Sequence, residues 1–305
     1  MSYTNSIIFG PVPSRRFGIS LGVDLSPSSK QCNFDCLYCE LEPAKTVDKM
    51  SVYPTILEVV TAIKEALEKH PKIDVITITA NGEPTLYPNL SQLIDEIDKI
   101  KGKTKTMILS NGSTIANKKT FDALLKLDTV KLSLDCVSEK CFKKLDRIHK
   151  GINTEKMIES MVEFRKQTKN KLVLEILFVK TLNDKDEEIE QLYKAVKKIN
   201  PHRVDIGTID RPPAYDVKPV SFELLEKVAN TFEGINVNIA YKNRPKQTES
   251  FTKEEIKSLL KRRPLTNNDI ENMFDETSKN ILNEMVQKGE ISIVDSSGLN
   301  FYKFL

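Results

Sequence analysis

Hydrophobic positions alternate between two rhythms over the first two thirds of the chain. Apolar or β-branched runs at 19–25, 75–79, 107–110, 130–134, 172–179 and 203–209 predict six buried strands. Between them, apolar residues recur at helical spacing. Ile56, Val59, Val60, Ile63 and Leu67 share one face of a helix over 56–70. Leu90, Leu93, Ile94, Ile97 and Ile100 mark the next helix, and Phe121, Leu124 and Leu125 another face. A helix over 154–167 follows, then a stripe of Ile189, Leu192, Val196 and Ile199. A helix over 221–233 and a strand at 235–240 close this region. Strict alternation predicts an α/β fold, a parallel sheet with helices outside, wound one way by right-handed crossovers. Six units are too few for the closed eight-stranded barrel. In such folds function collects at the C-terminal ends of the strands. Residues 7–18 carry two prolines and two glycines and predict an extended lead-in, not a helix.

The rhythm breaks at 242–250, a polar stretch with Pro245 that reads as a linker. Helices then follow at 253–262, 267–274 and 275–287, with Gly289 as a C-cap. A hairpin of 291–294 and 299–304 turns at Ser-Ser-Gly. Three helices and a hairpin predict a winged-helix-like domain at 251–305, behind a first domain at 1–241. Residues 251–305 hold eight Lys/Arg and nine Asp/Glu. A DNA reader is usually basic, so a module that docks a protein or another substrate fits this charge at least as well.

Composition adds limits. Of 305 residues, 39% are hydrophobic and 29% charged, which suits a soluble globular protein with a real core. The net charge of +3 neither demands nor excludes nucleic acid. Nothing approaches the roughly 20 apolar residues of a membrane span, and the start, Met1–Ser6, lacks the apolar core of a signal peptide. A cytoplasmic, reducing location is expected, with thiols gathered in one loop.

That loop carries the chemistry. Cys32, Cys36 and Cys39 stand at C-x3-C-x2-C spacing directly after the first strand. Thiolates this close let one loop wrap an iron–sulfur cluster. Three ligands leave one iron of a four-iron cube open. The alternative is structural zinc, which closes with four Cys or His ligands. The other two cysteines, Cys136 and Cys141, flank the turn after the fourth strand. Cys141 is a weak catalytic candidate, since a free Cys is more often a small buried hydrophobe. Other strand ends carry short polar groups. They are Gly82 and Glu83 in Asn-Gly-Glu-Pro, Ser110 and Asn111 before Gly112, Asp135, Glu175, and Arg211 in Asp-Arg-Pro-Pro.

The cysteine spacing, with Tyr38 before the last cysteine, resembles the radical S-adenosylmethionine superfamily. The resemblance implies a six-stranded partial (β/α)6 barrel and a [4Fe–4S] cluster on Cys32, Cys36 and Cys39. The open iron would bind the amino and carboxylate groups of S-adenosylmethionine. An electron from the cluster would then release methionine and a 5′-deoxyadenosyl radical. Glu83 and Gly82 would meet the amino group. Ser110, Asn111, Asp135 and Glu175 would meet the ribose and the carboxylate. Phe34 and Tyr38 would shield the cluster from water. An electron donor such as flavodoxin or ferredoxin is implied.

The lead-in Pro-Val-Pro-Ser-Arg-Arg-Phe-Gly, with Asn-Gly-Glu-Pro-Thr-Leu and Arg-Pro-Pro-Ala, narrows the likeness. It points to the group related to wyosine-type tRNA-modifying synthases. Those synthases hold a second cluster on N-terminal cysteines, and here no Cys precedes Cys32. Three functions follow as expectations. The first is radical modification of RNA, with tRNA foremost. The second is modification of a peptide or protein. The third is a cluster-sensing DNA-binding regulator, for which a Glu83-type cofactor site would have no use.

Overall fold

The computed structural model describes residues 7–14, 16–239, 248–262, 264–296 and 299–304. Eight strands form one sheet in sequential order: β1 (Ile8–Ser14), β2 (Gly18–Asp24), β3 (Val75–Thr79), β4 (Lys105–Ser110), β5 (Thr129–Ser133), β6 (Lys171–Phe178), β7 (Arg203–Thr208) and β8 (Val237–Ile239). Strands β2 to β8 are parallel, and β1 runs antiparallel to β2. The six predicted strands are β2 to β7, and the closing strand predicted at 235–240 is β8. The lead-in is itself a strand. Its prolines are tolerated because β1 is the sheet edge, where an N–H is not needed on both sides.

The helices alternate with the strands as α1 (Ile56–Lys69), α2 (Leu90–Ile100), α3 (Lys118–Leu124), α4 (Thr154–Gln167), α5 (Asp186–Ile199) and α6 (Phe222–Thr231). Helices α1, α2, α3 and α5 turn their predicted stripes inward, with Ile56, Val60, Leu67, Ile100 and Leu125 only partly buried. Ile63, Leu93, Ile97, Phe164 and Leu192 join one core with Val23, Ile76, Ile108, Leu132, Leu174 and Ile206 of the strands. Each such side chain contributes about 1.5–3 kcal/mol on burial. Helix α1 starts where it does because Thr55 and Glu58 form a reciprocal capping box.

The other sheet face is mixed, with Met107, Leu109 and Leu177 among its polar groups. Ser20, Thr77, Thr79, Lys131, Glu175 and Thr208 line a cavity of about 410 Å³. Arg16, in the β1–β2 turn, reaches Glu175 of β6 and Asp205 of β7, both at 3.2 Å. A flat sheet would hold β2 and β7 about 24 Å apart, at ~4.8 Å per strand. The sheet therefore curls until its first turn meets its far strands.

The C-terminal elements are α7 (Lys253–Arg262), β9 (Leu265–Thr266), α8 (Asn267–Met273), α9 (Glu276–Gln287), β10 (Ile291–Ser296) and β11 (Leu299–Phe304). Their three strands form an antiparallel sheet in the order β10-β11-β9. A second apolar cluster forms here from Ile256, Leu259, Ile270, Phe274, Leu282 and Phe301, and Val12 of β1 joins it. Ser258 Oγ donates to Ile8 O at 3.2 Å. The unit thus covers the edge strand, which would otherwise be open to pairing. Most of the linker expected at 242–250 lies outside the described residues. At its end, Glu249 pairs with Phe274 and lies 3.4 Å from His70.

Candidate active site

The cysteine loop leaves β2 at Asp24 and is pinned at both ends. Asp24 Oδ1 accepts from Ser26 N and Asn81 N, both at 2.8 Å. The Gln31 side chain accepts from Ser51 N at 2.7 Å and donates to Val52 O at 2.6 Å. Val47 N donates to Cys32 O, and Ala214 N to Cys39 O, both at 2.8 Å. From the other side, Asp146 O accepts from Asp35 N at 3.0 Å and Leu145 O from Leu37 N at 2.9 Å.

Cys32, Cys36 and Cys39 carry free thiols. Burial pushes the Cys32 thiol up to about 12, with the Glu83 carboxylate adding to the effect. Burial raises Cys36 too, followed by Asp146 and the other two sulfurs. Cys39 is raised by burial and partly relieved by the Lys30 ammonium beside it. The three sulfurs therefore lie in surroundings where thiolates are costly without a cation. Iron supplies such a cation, so the donor set fits a cluster. Among the described residues, no group of three or more His, Cys, Asp or Glu side chains converges as a site for one ion.

Beside the loop lies the turn after β3. Gly82 has φ +135°, and a Cβ there would come within 2.0 Å of Gln31 O. Only glycine lets this turn lie against the loop. Gln31 N donates to Asn81 O at 2.9 Å and Glu83 N to Gln31 O at 3.0 Å. Glu83 is 2% exposed. Its Oε1 accepts from Thr85 N (3.0 Å), Thr85 Oγ1 (2.6 Å) and Ser110 Oγ (2.7 Å), and its Oε2 from Asn111 N (2.7 Å). Burial raises its carboxyl, and these four donors oppose the rise. Asn111 Nδ2 also lies 3.7 Å from Cys32 Sγ and donates to Asn33 Oδ1 at 2.8 Å. Gly82, Glu83, Ser110 and Asn111 thus meet Cys32 as one constellation. Ser110 and the Asn111 amide serve it by holding Glu83.

Tyr38 and Asp135 lie on the Cys36 side of the loop, while Glu175 and Cys141 stand apart from Glu83. Tyr38 donates its hydroxyl to Asp135, which also accepts from Leu177 N at 2.6 Å. Burial lifts the Asp135 carboxyl to about 7, against those two donors. Glu175 is paired with Lys131 at 2.5 Å and Arg16 at 3.2 Å. Burial raises its carboxyl, but the two cations outweigh it and hold the group low. Among the described residues it has no recorded bond to the thiols or Glu83. Cys141 is disulfide-bonded to Cys136, so the structure offers no free catalytic thiol there. Arg211 pairs with Glu40 at 2.7 Å beside the loop.

Several residues at the site escaped the sequence reading. Lys30 and Asp35 are buried 3.6 Å apart, and Tyr215 Oη donates to Asp35 Oδ2 at 2.6 Å. Asp146, 1% exposed, lies against the Cys36 thiol, and burial followed by the Asp135 charge holds its carboxyl up. Asp146 stands far from the loop in sequence, in Leu-Asp-Arg, with no local signal. Lys30 and Asp35 flank cysteines, and that adjacency was a usable signal.

Comparison with known proteins shows the family. The family model of the Radical SAM superfamily matches residues 26–196. A "UPF0026 protein" of Helicobacter pylori is 40% identical over 300 residues, covering 97% of each chain. A "Probable dual-specificity RNA methyltransferase RlmN" of Fervidobacterium nodosum is 25% identical over 172 residues, covering 54% of this chain and 48% of that one. A solved "Structure of TYW1 with a lysine-pyruvate adduct bound" superposes with a TM-score of 0.54 at 13% identity, covering 93% of this chain and 80% of that one. The chain belongs to the radical SAM superfamily, enzymes that work with a [4Fe–4S] cluster and S-adenosylmethionine.

Proposed function

We propose that this enzyme modifies RNA, with tRNA the foremost substrate, and that Cys32, Cys36 and Cys39 hold its cluster. The observation that carries the site reading is Glu83, a buried carboxylate fixed by four hydrogen bonds and facing Cys32. A cationic amine beside such a carboxylate makes a charge-assisted pair, so Glu83 would take the amino group of S-adenosylmethionine. A cluster held by Cys32, Cys36 and Cys39 would supply the electron that splits the bound S-adenosylmethionine. The chain's own work is orientation and exclusion of water. Ser110 and Asn111 fix Glu83, Gly82 lets the turn reach the loop, and Phe34, 4% exposed, seals its inner side. The 410 Å³ cavity on this sheet face would receive the reacting end of the substrate.

The curl of the sheet supports the partial-barrel reading, and the order α7-β9-α8-α9-β10-β11 supports the winged-helix one. The C-terminal hairpin reaches the cysteine loop, with Lys303 Nζ 2.9 Å from Glu42. The module would place a large substrate over the site. Support for RNA comes from the RlmN relative. The test is mass spectrometry of total tRNA and rRNA nucleosides from cells with and without the gene. A nucleoside lost in the deletion and restored by the intact gene, but not by Cys36→Ala, is the expected result. Identical nucleoside profiles would move the substrate to a peptide or protein.

A further inference from the structure

Two of the five cysteines are bonded to each other, while the other three carry free thiols. The bonded pair, Cys136 and Cys141, is 0% and 5% exposed. Its place in the chain is between two grips on the cysteine loop. On one side Asp135, the residue before Cys136, accepts from the Tyr38 hydroxyl. On the other, the chain runs from Cys141 straight into Phe142–Asp146. There Leu145 O accepts from Leu37 N at 2.9 Å and Asp146 O from Asp35 N at 3.0 Å. His149 N then donates to Asn33 O at 2.8 Å.

This gripping stretch has an uncommon backbone. Phe142–Asp146 is a wide π turn, and it ends at Arg147 with φ +48°. Such turns are rare, and such a φ is costly outside glycine, so both persist only where the surroundings hold them. The disulfide holds the start of the turn, with Ser138 Oγ accepting from Cys141 N at 3.1 Å inside the ring that the bond closes.

Iron–sulfur ligation and a disulfide ask for opposite redox conditions. Conditions that keep three thiols available as ligands also favour opening of Cys136–Cys141, and a disulfide in such a setting is usually transient and redox-sensing. The two Cα atoms are 5.5 Å apart, a spacing at which the bond closes on the folded chain.

We propose that Cys136 and Cys141 form a reversible thiol–disulfide switch that sets how firmly the segment after β5 holds the cysteine loop. Its effect on iron rests on the cluster reading above, and its effect on the loop does not. Closure removes two electrons and two protons from the thiols, and the oxidant is a small disulfide. The Cys141 thiolate, the less buried, attacks that disulfide and expels one thiolate. The Cys136 thiolate then attacks the Cys141 sulfur and expels the other. The small disulfide ends as two thiols, and a small thiol in excess reverses both steps. Closed, the bond ties the π turn to the strand end that carries Asp135. Open, the turn loosens and the cysteine loop with it.

The test equilibrates the intact chain, with and without reconstituted iron, at set ratios of glutathione to glutathione disulfide without air. Alkylation and peptide mass spectrometry count the free thiols at 136 and 141. Hydrogen exchange of the metal-free chain follows the amides of Asp35 and Leu37, and a chelator follows iron loss from the loaded one. The pair should pass from dithiol to disulfide as the ratio falls. In the bonded state the two amides should exchange roughly tenfold more slowly, as closure of a short ring implies for its surroundings, and iron should leave more slowly too. Cys136→Ala/Cys141→Ala should behave as the open state at every ratio. A pair that stays bonded, or stays reduced, at every ratio overturns the switch. A pair that titrates while the two amides exchange alike in both states overturns its hold on the loop. Amides that respond as strongly in the double variant overturn it as well, because the loop thiols then carry the effect. Amides that respond only in the unmodified chain, in a protein that takes up no iron, uphold the switch and count against the cluster reading instead.

Discussion

The backbone amide of Glu83 donates to the carbonyl of Gln31 at 3.0 Å, joining the turn after β3 to the cysteine loop one residue before Cys32. The residue that would meet the cofactor and a residue that would hold the metal therefore belong to one rigid unit. Pre-organisation of this kind removes the need to order either piece when ligands arrive.

Gly82→Ala tests that unit. The new methyl would meet Gln31 O at 2.0 Å, in a backbone conformation of φ +135°. Strain of this kind costs about 1–3 kcal/mol before the clash is counted, and the cheapest relief is to push the turn off the loop. The variant should fold with a lower melting temperature and retain less iron per chain after reconstitution. Full iron and an unshifted melting temperature would contradict the close approach.

Glu83→Ala separates cofactor binding from metal binding. It removes a charge-assisted contact worth about 1.5–3 kcal/mol. S-adenosylmethionine should bind roughly tenfold or more weakly in calorimetry while iron content stays near normal. It also leaves four donors without their acceptor, so a modest loss of stability should accompany it. An unchanged titration would return Glu83 to a purely structural turn.

Lys131→Met tests the ion-pair lattice that closes the curled sheet. Lys131 bridges Glu175 at 2.5 Å and Asp205 at 3.5 Å, and Asp205 is fully buried. Breaking a buried pair from one side costs about 3–5 kcal/mol. Here Arg16 remains, and the Glu175 side chain is 39% exposed toward the cavity. A loss of about 2–3 kcal/mol in urea unfolding is expected. No loss would mean that Arg16 and Arg203, the latter 2.8 Å from Asp205, suffice.

Acid stability has a nameable contributor in Asp128. Partial burial pushes its carboxyl up, but bonds from Lys105 and from the Thr106 amide and hydroxyl, with the Lys101 charge, bring it down to about 2. Its unfolded value is 3.8. A carboxyl held low in the folded state stabilises above its unfolded value and loses that contribution as pH falls through its folded value. Its share should therefore vanish between about pH 4 and pH 2. Asp128→Asn should be less stable than the unmodified protein at pH 6, with the gap closing by pH 2. A gap that persists at pH 2 would point to packing instead.

Much of this architecture was legible beforehand, for physical reasons. Strand β3 and helix α4 fall where their apolar periods begin and end, because burial against the sheet sets both. The Cys32 loop and Glu83 were legible because spacing within one loop or one turn is a local property. The role of Ser110 and Asn111 as supports of Glu83 was not, since it depends on the register of β3 against β4. Strand β1 was hidden by Pro11 and Pro13, which read as breakers until the edge position excuses them. Asp146 and the Cys136–Cys141 bond depend on how the segment after β5 folds back over the loop. No periodicity encodes that.

The central claim is that three thiols hold one cluster that splits S-adenosylmethionine. Anaerobic reconstitution of the intact protein and of Cys36→Ala, with iron counted and 5′-deoxyadenosine measured after reduction with dithionite, tests it most directly. The intact protein should take up about four iron per chain, as one cysteine-ligated cube implies, and should form 5′-deoxyadenosine from S-adenosylmethionine. The variant should do neither. A Cys36→Ala protein with a full complement of iron, or an intact protein with bound iron and no 5′-deoxyadenosine, would contradict the account.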